Sequence, residues 1–325
     1  MTAKPTCPAP EALGPTITIG EILVEIMAEE PGDGFLQPLA LIGPYPSGAP
    51  AIFIDQVAKM GGAAGIIAAV GRDDFGEVNV RRLARDGVDT SAISRSASLP
   101  TGTAFVRYRP DGGRDFVFNI AHSAAGDLAM TDPVRALIER AGHLHVMGTA
   151  LSIPRAWPIL TAALDTVKRR GGSVSFDPNL RKELMSAEIT ERFATVLAAT
   201  DLFLPSEAEI FLAGEAADVD TAAAALIARG VAEVVVKRGA RGATRYASGS
   251  TLECPAFGVT EIDPTGAGDC FGASYVTARR LGHGPEAALR LAAAAGARNV
   301  TLRGPMEGTS TLAELHELMS SGEEA

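Results

Sequence analysis

The sequence predicts an α/β protein with a largely parallel sheet. Three observations carry this. Apolar, β-branched strands alternate with segments of helical spacing, glycines punctuate the junctions, and the 325 residues, 46% hydrophobic and 21% charged, can bury a large core. One large domain, or one plus a smaller element, accommodates that length.

Taken in order, residues 16–26 alternate in β-branched fashion and read as the first strand. The Pro- and Gly-rich residues 31–50 read as loop. Helical spacing over 52–60 stops at Gly61-Gly62, an apolar strand covers 65–70, and a helix over 75–86 ends at Gly87. Residues 103–109 and 115–120 flank Pro110-Asp111-Gly112-Gly113 and read as a β-hairpin, which in an α/β order is a candidate lid. The alternation resumes with strand 143–148, helix 157–170, strand 173–176, a helix near 191–199, strand 201–204, helix 222–228 and strand 234–236. Two alanine-rich helices follow, over 270–280 and 285–300. Residues 1–15, with four prolines, read as a flexible tail, and 320–325 as a frayed end.

Composition and motifs exclude several chemistries. With 29 basic against 39 acidic residues the net charge is −10, which disfavours nucleic acid or an anionic membrane as partner and favours a small-molecule substrate. No apolar run reaches the length of a membrane span. Cys7, Cys254 and Cys270 lie far apart, which argues against a zinc site or disulfide framework and suits a reducing cytoplasm. None of the five lysines follows a glycine, so the P-loop pattern is absent. No serine sits in a Gly-x-Ser-x-Gly elbow. Gly61-Gly62-Ala63-Ala64-Gly65 precedes its strand and lacks dinucleotide-fold spacing. His143 and His145 share one strand face without a third ligand nearby and read as structural.

The chemistry concentrates in Asp263-Pro264-Thr265-Gly266-Ala267-Gly268-Asp269, which runs into the apolar Cys270-Phe271-Gly272-Ala273. Glycines let successive backbone amides converge on one anion, and a helix starting there adds its positive end. Asp269 then stands beside a bound phosphate, where it can take the proton of an attacking hydroxyl. The same residues also read as a plain turn with Asp269 capping the helix.

Asp-x-Thr-Gly-Ala-Gly-Asp-x-Phe over 263–271 resembles the second signature of the ribokinase-like, or PfkB, carbohydrate kinases. Further similarities stand in the family's order: Gly20-Glu21, Ser47-Gly48-Ala49-Pro50-Ala51, the run Val70 to Gly76 that contains Gly71-Arg72-Asp73, Asp177-Pro178-Asn179-Leu180-Arg181, Glu209, and Lys237 to Gly242. The resemblance spans about 16–306. It implies a doubly wound, mainly parallel sheet sandwiched by helices, over residues 16–319, with a small β-sheet lid drawn from about 20–50 and 100–121. It also implies ATP with Mg²⁺, Asp269 as general base, and the amides of Gly266, Ala267 and Gly268 as the anion hole. Lys237, Gly239 and Gly242 would hold nucleotide, although a plain turn after a buried strand explains Lys237 itself equally. Glu209 would organise Mg²⁺ through water, with Ser206 in place of the family's Asn. Asp263 would begin a monovalent-cation loop, which makes K⁺ a candidate activator, and paired lids would make the protein a homodimer.

Substrate choice rests on departures from the family pattern. Relatives place Asp on the first strand where this chain has the longer Glu25, and Asn where it has Ile52. Relatives that act on 2-keto-3-deoxygluconate carry a lid Arg where this chain has Ile120, which favours a neutral sugar, with Arg107 as an alternative cation. Within the family, the runs 20–27, 46–56 and 143–148 look most like tagatose kinases, which implies a ketohexose, tagatose before fructose. Candidate sugar contacts are Glu25, Gly48, Arg107, Asn119 and Arg181. Two rival readings are a catalytically silent sugar or nucleotide sensor and a nicotinamide dehydrogenase, the second weakened by the missing fingerprint.

Overall fold

The computed structural model describes residues 7–32, 35–109, 113–120, 122–180 and 186–321. Its strands are β1 (Thr16–Ile19), β2 (Leu23–Ala28), β3 (Leu41–Ser47), β4 (Ala64–Val70), β5 (Ile93–Arg95), β6 (Gly102–Tyr108), β7 (Arg114–Asn119), β8 (His143–Met147), β9 (Ser173–Asp177), β10 (Leu202–Phe203), β11 (Glu233–Lys237), β12 (Ala243–Ala247) and β13 (Ser250–Cys254). The helices are α1 (Ala49–Lys59), α2 (Asp74–Arg85), α3 (Asp132–Arg140), α4 (Ala156–Arg169), α5 (Ala187–Ala199), α6 (Val219–Ala228), α7 (Ala267–Arg280), α8 (Pro285–Asn299) and α9 (Leu312–Ser321).

Two sheets result. The large one runs β13-β12-β11-β10-β9-β8-β1-β4-β5, parallel except where β12 and β13 fold back along β11. Its strands are apolar on both faces because helices cover both. In β4, Ile67 and Ala69 join a core with α3 to α6, while Ile66, Ala68 and Val70 join one with α1, α7, α8 and α9. The small sheet, β3-β2-β6-β7, lies apart from it.

The sequence reading and the structure part company at identifiable places. Residues 16–26 form two strands in two sheets, because the chain leaves the large sheet at Gly20, packed so tightly that a Cβ would lie 2.6 Å from the Pro50 ring. Residues 31–50 are not all loop: β3 pairs antiparallel with β2. Its Gly43, Pro44 and Pro46 hide it from a strand pattern, yet an edge strand tolerates proline because one row of amides needs no partner. The two strands of the expected hairpin pair antiparallel, β6 against β7, while residues 110–112 of its turn lie outside the described residues. Of the tail expected over 1–15, residues 1–6 lie outside the described residues and the rest is held from Cys7 onward. Buried Arg280 donates to the carbonyls of Ala9, Pro10 and Gly14 and pairs with Glu11 at 3.2 Å, and the Ala9 amide donates to Ser173 at 2.7 Å. At the far end α9 continues to Ser321.

His143 and His145 are structural, as read. Both are buried; His143 is hydrogen-bonded to Ser173 and Ser175, His145 to Ser175, and His145 stacks on Phe53 at 3.5 Å. Burial holds both pKa values well below the usual histidine range, so the rings are neutral.

Candidate active site

Parallel strands deliver their side chains at their carboxyl ends, and ligands of open α/β sheets bind there. Here Asp177 ends β9, Lys237 ends β11, and α7 begins opposite them with Asp269 in its first turn. Gly266 caps α7 at φ +85°, and a Cβ on it would lie 2.4 Å from the Pro305 carbonyl oxygen. Only glycine fits that backbone. The opening amides of a helix have no acceptor within it, so the turn formed by Gly266, Ala267 and Gly268 can cradle an anion, the Ala267 amide reaching the Pro264 carbonyl only at 3.5 Å. Asp263 shapes the cradle by accepting from the amides of Thr265 and Gly304, each at 3.0 Å.

Asp269 is 9% exposed. Burial lifts its pKa well above the carboxylate range; Asp177, Glu21 and Glu25 push the same way, and Lys237 opposes them. A carboxylate so placed is a strong proton acceptor. Lys237 forms an ion pair with Asp177. Burial alone would lower the lysine's pKa, but Asp177 and Glu209 outweigh it and leave it raised. The ammonium also stands 3.5 Å from where a Cβ on Gly268 would be, so it reaches the cradle itself. Burial pushes Asp177 up to about 6, and its Oδ1 has no hydrogen-bond partner.

Glu209 opens a short 3₁₀ helix, Glu209–Ala213. Its carboxylate accepts from the Ser206 amide at 2.7 Å, and Ser206 Oγ accepts from the Glu209 amide at 3.4 Å. This reciprocal box needs only a short hydroxyl side chain, which Ser206 supplies in place of the family's Asn. Gly242 is required by packing, since a Cβ there would meet the Cys254 carbonyl oxygen at 2.0 Å, whereas Gly239 faces open space.

The small sheet stands over the cradle. Side chains alternate across a strand, and the pairings Glu25 with Ala104 and Tyr108 with Arg114 put Glu25, Tyr108 and Arg114 on one face. That face looks onto the cradle: Arg114 donates to Thr265 Oγ1 at 2.6 Å, and the Tyr108 phenol, its pKa raised by burial and by Asp263, lies against Asp263. Glu25 accepts from Ser47 at 2.6 Å through Oε1, and its Oε2 has no partner. Burial pushes Glu25 up to about 7, with the Ser47 hydrogen bond opposing, and burial does the same to Glu21, whose Oε2 is also unpartnered. Gly48 caps α1 at φ +111°, and a Cβ on it would lie 2.6 Å from the Glu21 carbonyl oxygen. Ile52 is buried beside Gly266, with a methyl 3.3 Å from the position of a Cβ there.

The pfkB family carbohydrate kinase model matches residues 19–312. The chain belongs to this family. The kinase is 33% identical to a fructokinase of Klebsiella pneumoniae over 78% of this chain and 80% of the relative. It is 31% identical to a 2-dehydro-3-deoxygluconokinase of Thermoproteus tenax, over 96% of each. An E. coli protein provisionally assigned as ribokinase II, solved with ATP and Mg²⁺, superposes with a TM-score of 0.89 at 44% identity, covering 95% of this chain and 99% of that one. The fold is ribokinase-like, and the enzyme is an ATP-binding carbohydrate kinase that transfers phosphate to a sugar hydroxyl.

Of the residues singled out from sequence, the kinase brings together Asp269, Gly266, Ala267, Gly268, Asp263, Lys237, Glu209, Glu25 and Gly48. It does not bring Arg107 and Asn119 to them. Arg107 pairs across the sheet with Asp115, and Asn119 with Thr103, so both side chains lie on the face opposite Glu25. Arg107 is held there by an ion pair with Asp115 at 2.7 Å. Arg181 lies outside the described residues. The reading missed Glu21, Tyr108, Arg114 and the Asp177–Lys237 pair as parts of one site. For Arg114 and Tyr108 the signal was strand parity, which shows only once the register is known.

Proposed function

We propose that this kinase transfers the γ-phosphoryl group of ATP to the terminal hydroxymethyl of a ketohexose, tagatose ahead of fructose. The observation that carries the reading is Asp269, buried with a raised pKa in the first turn of α7 beside the Gly266 cradle. The hydroxymethyl proton passes to Asp269 as its oxygen bonds to phosphorus, and ADP leaves. The cradle amides and Lys237 meet the charge that builds on the transferring group.

Mg²⁺ takes one or two carboxylates together with phosphates and water. Glu209 and the unpartnered Oδ1 of Asp177 suit that demand, and no cage of three or more acidic, His or Cys side chains is present among the described residues. When bound, the ion neutralises phosphate charge. K⁺ beside Asp263 is proposed on the family resemblance.

Glu21 and Glu25, both buried with a free oxygen, favour a neutral polyol over a sugar acid, whose carboxylate would meet them. Ile120, where sugar-acid kinases carry Arg, packs against the core. A homodimer is supported by the outer face of the small sheet, where Leu39, Leu41 and Val117 are exposed together near Phe105. A cytoplasmic setting fits the three free cysteines, and no helix among the described residues is long and apolar enough to cross a membrane.

The test is ADP release from Mg-ATP with tagatose, fructose, ribose, 2-keto-3-deoxygluconate and adenosine. Preference for tagatose or fructose supports the reading. Preference for the sugar acid or for adenosine contradicts it.

A further inference from the structure

Arg114 is the cation of the lid that faces the chemistry. It stands on the site face of β7 and donates to Thr265 Oγ1 at 2.6 Å, in the residue just before the cradle. Its guanidinium also lies over the Phe116 ring, 5.7 Å from the centroid. Among the described residues no carboxylate lies within ion-pair distance of it, unlike Arg107, which is paired to Asp115, and Lys237, which is paired to Asp177. Its charge is felt across the site, opposing the raised pKa values of Glu25 and Tyr108.

A guanidinium partnered only by a hydroxyl and a ring keeps most of its donors uncommitted, and it stays charged at any working pH. The site around it is rich in carboxylates: Glu21, Glu25, Asp177, Asp263 and Asp269. Phosphoryl transfer spreads negative charge over three equatorial oxygens, and a cation is needed where that charge develops. Lys237 reaches the cradle from the sheet; Arg114 reaches it from the opposite side, carried by the lid.

We propose that Arg114 leaves Thr265 for the transferring phosphoryl group and stabilises its charge, so that the lid supplies a catalytic cation as well as a cover. Lid closure over the sugar then completes the catalytic set. This rests on the kinase reading above, and the experiment separates the two.

Steady-state kinetics on Arg114→Met and Arg114→Ala, with the wild type's best sugar, read the role. For Arg114→Met the turnover falls by about 10²-fold or more, in the range for one lost charge-stabilising donor, while KM for sugar and ATP stays within about threefold. Millimolar methylguanidine restores part of the turnover of Arg114→Ala. In parallel, calorimetry with Mg-ADP and aluminium fluoride, a mimic of the planar phosphoryl group, shows a loss of affinity of about tenfold or more in Arg114→Met, with Mg-ADP alone unchanged. This arm needs no sugar, so a wild type silent toward every sugar would sink the proposed substrate class and leave Arg114 still tested. The inference is overturned if Arg114→Met keeps its turnover, if the loss lies in the sugar's KM, or if the aluminium fluoride complex binds both proteins equally.

Discussion

Replacing Gly266 by alanine attacks the cradle at its geometric weak point. Gly266 sits at φ +85°, where an L side chain costs about 1–2 kcal/mol of backbone strain. The new Cβ would also lie 2.4 Å from the Pro305 carbonyl oxygen, against 3.4 Å for ordinary contact, and Pro305 is fixed by the Asn299 side chain donating to that same oxygen at 3.0 Å. Neither neighbour is the free end of a flexible side chain, so the backbone must give by about 1 Å. Misplacement on that scale costs about 10² in rate when it moves groups aimed at a transition state. Turnover of Gly266→Ala should therefore fall about 100-fold, with the sugar KM little changed, and its Tm should drop by a few degrees. Gly268→Ala is the stability control: its Cβ meets only the Lys237 ammonium at 3.5 Å, and alanine is the better helix former, so Tm should hold. The assay is coupled ADP release beside a thermal melt. Wild-type turnover and Tm in Gly266→Ala would refute the argument that only glycine holds the cradle in shape.

Two further outcomes concern buried charge. Glu21 and Glu25 are pushed from 4.5 to about 7 by burial, so between those values the unfolded chain loses protons that the folded one keeps; stability without ligands therefore falls as pH rises through this window and levels off above it. Glu25→Gln should flatten part of that slope in melts recorded from pH 4.5 to 8, and an unchanged slope would contradict the assignment. Arg280→Ala strips the buried anchor of residues 9–16 and should cost about 3 kcal/mol or more in urea denaturation; a cost below about 1 kcal/mol would mean the segment is held by something else.

Much of the centre of this molecule was legible because its chemistry is local in sequence. The glycine-rich turn, Asp269 and the helix they open lie in one run of residues, and the order of strands and helices follows from hydrophobic period. The small sheet was less legible. Its edge strand β3 carries two prolines and a glycine, which read as loop, and its register decides which arginine faces the site. One residue of strand parity separates Arg114, against Thr265, from the opposite-face set that includes Arg107, and only the pairing with β6 settles that parity. The Asp177–Lys237 pair joins residues 60 apart in sequence, brought together because both end parallel strands. Glu209 was singled out by its place in the motif order, but its bonding to Ser206 depends on a turn that the spacing alone does not draw.

The central claim is that Asp269 takes the proton of the sugar hydroxyl. Its most direct test is Asp269→Asn, nearly isosteric but without a basic oxygen, measured for ADP release and for binding of sugar and Mg-ATP by calorimetry. The account predicts turnover lowered by 10²-fold or more with both ligands bound within a few-fold of wild type. Turnover close to wild type would contradict it.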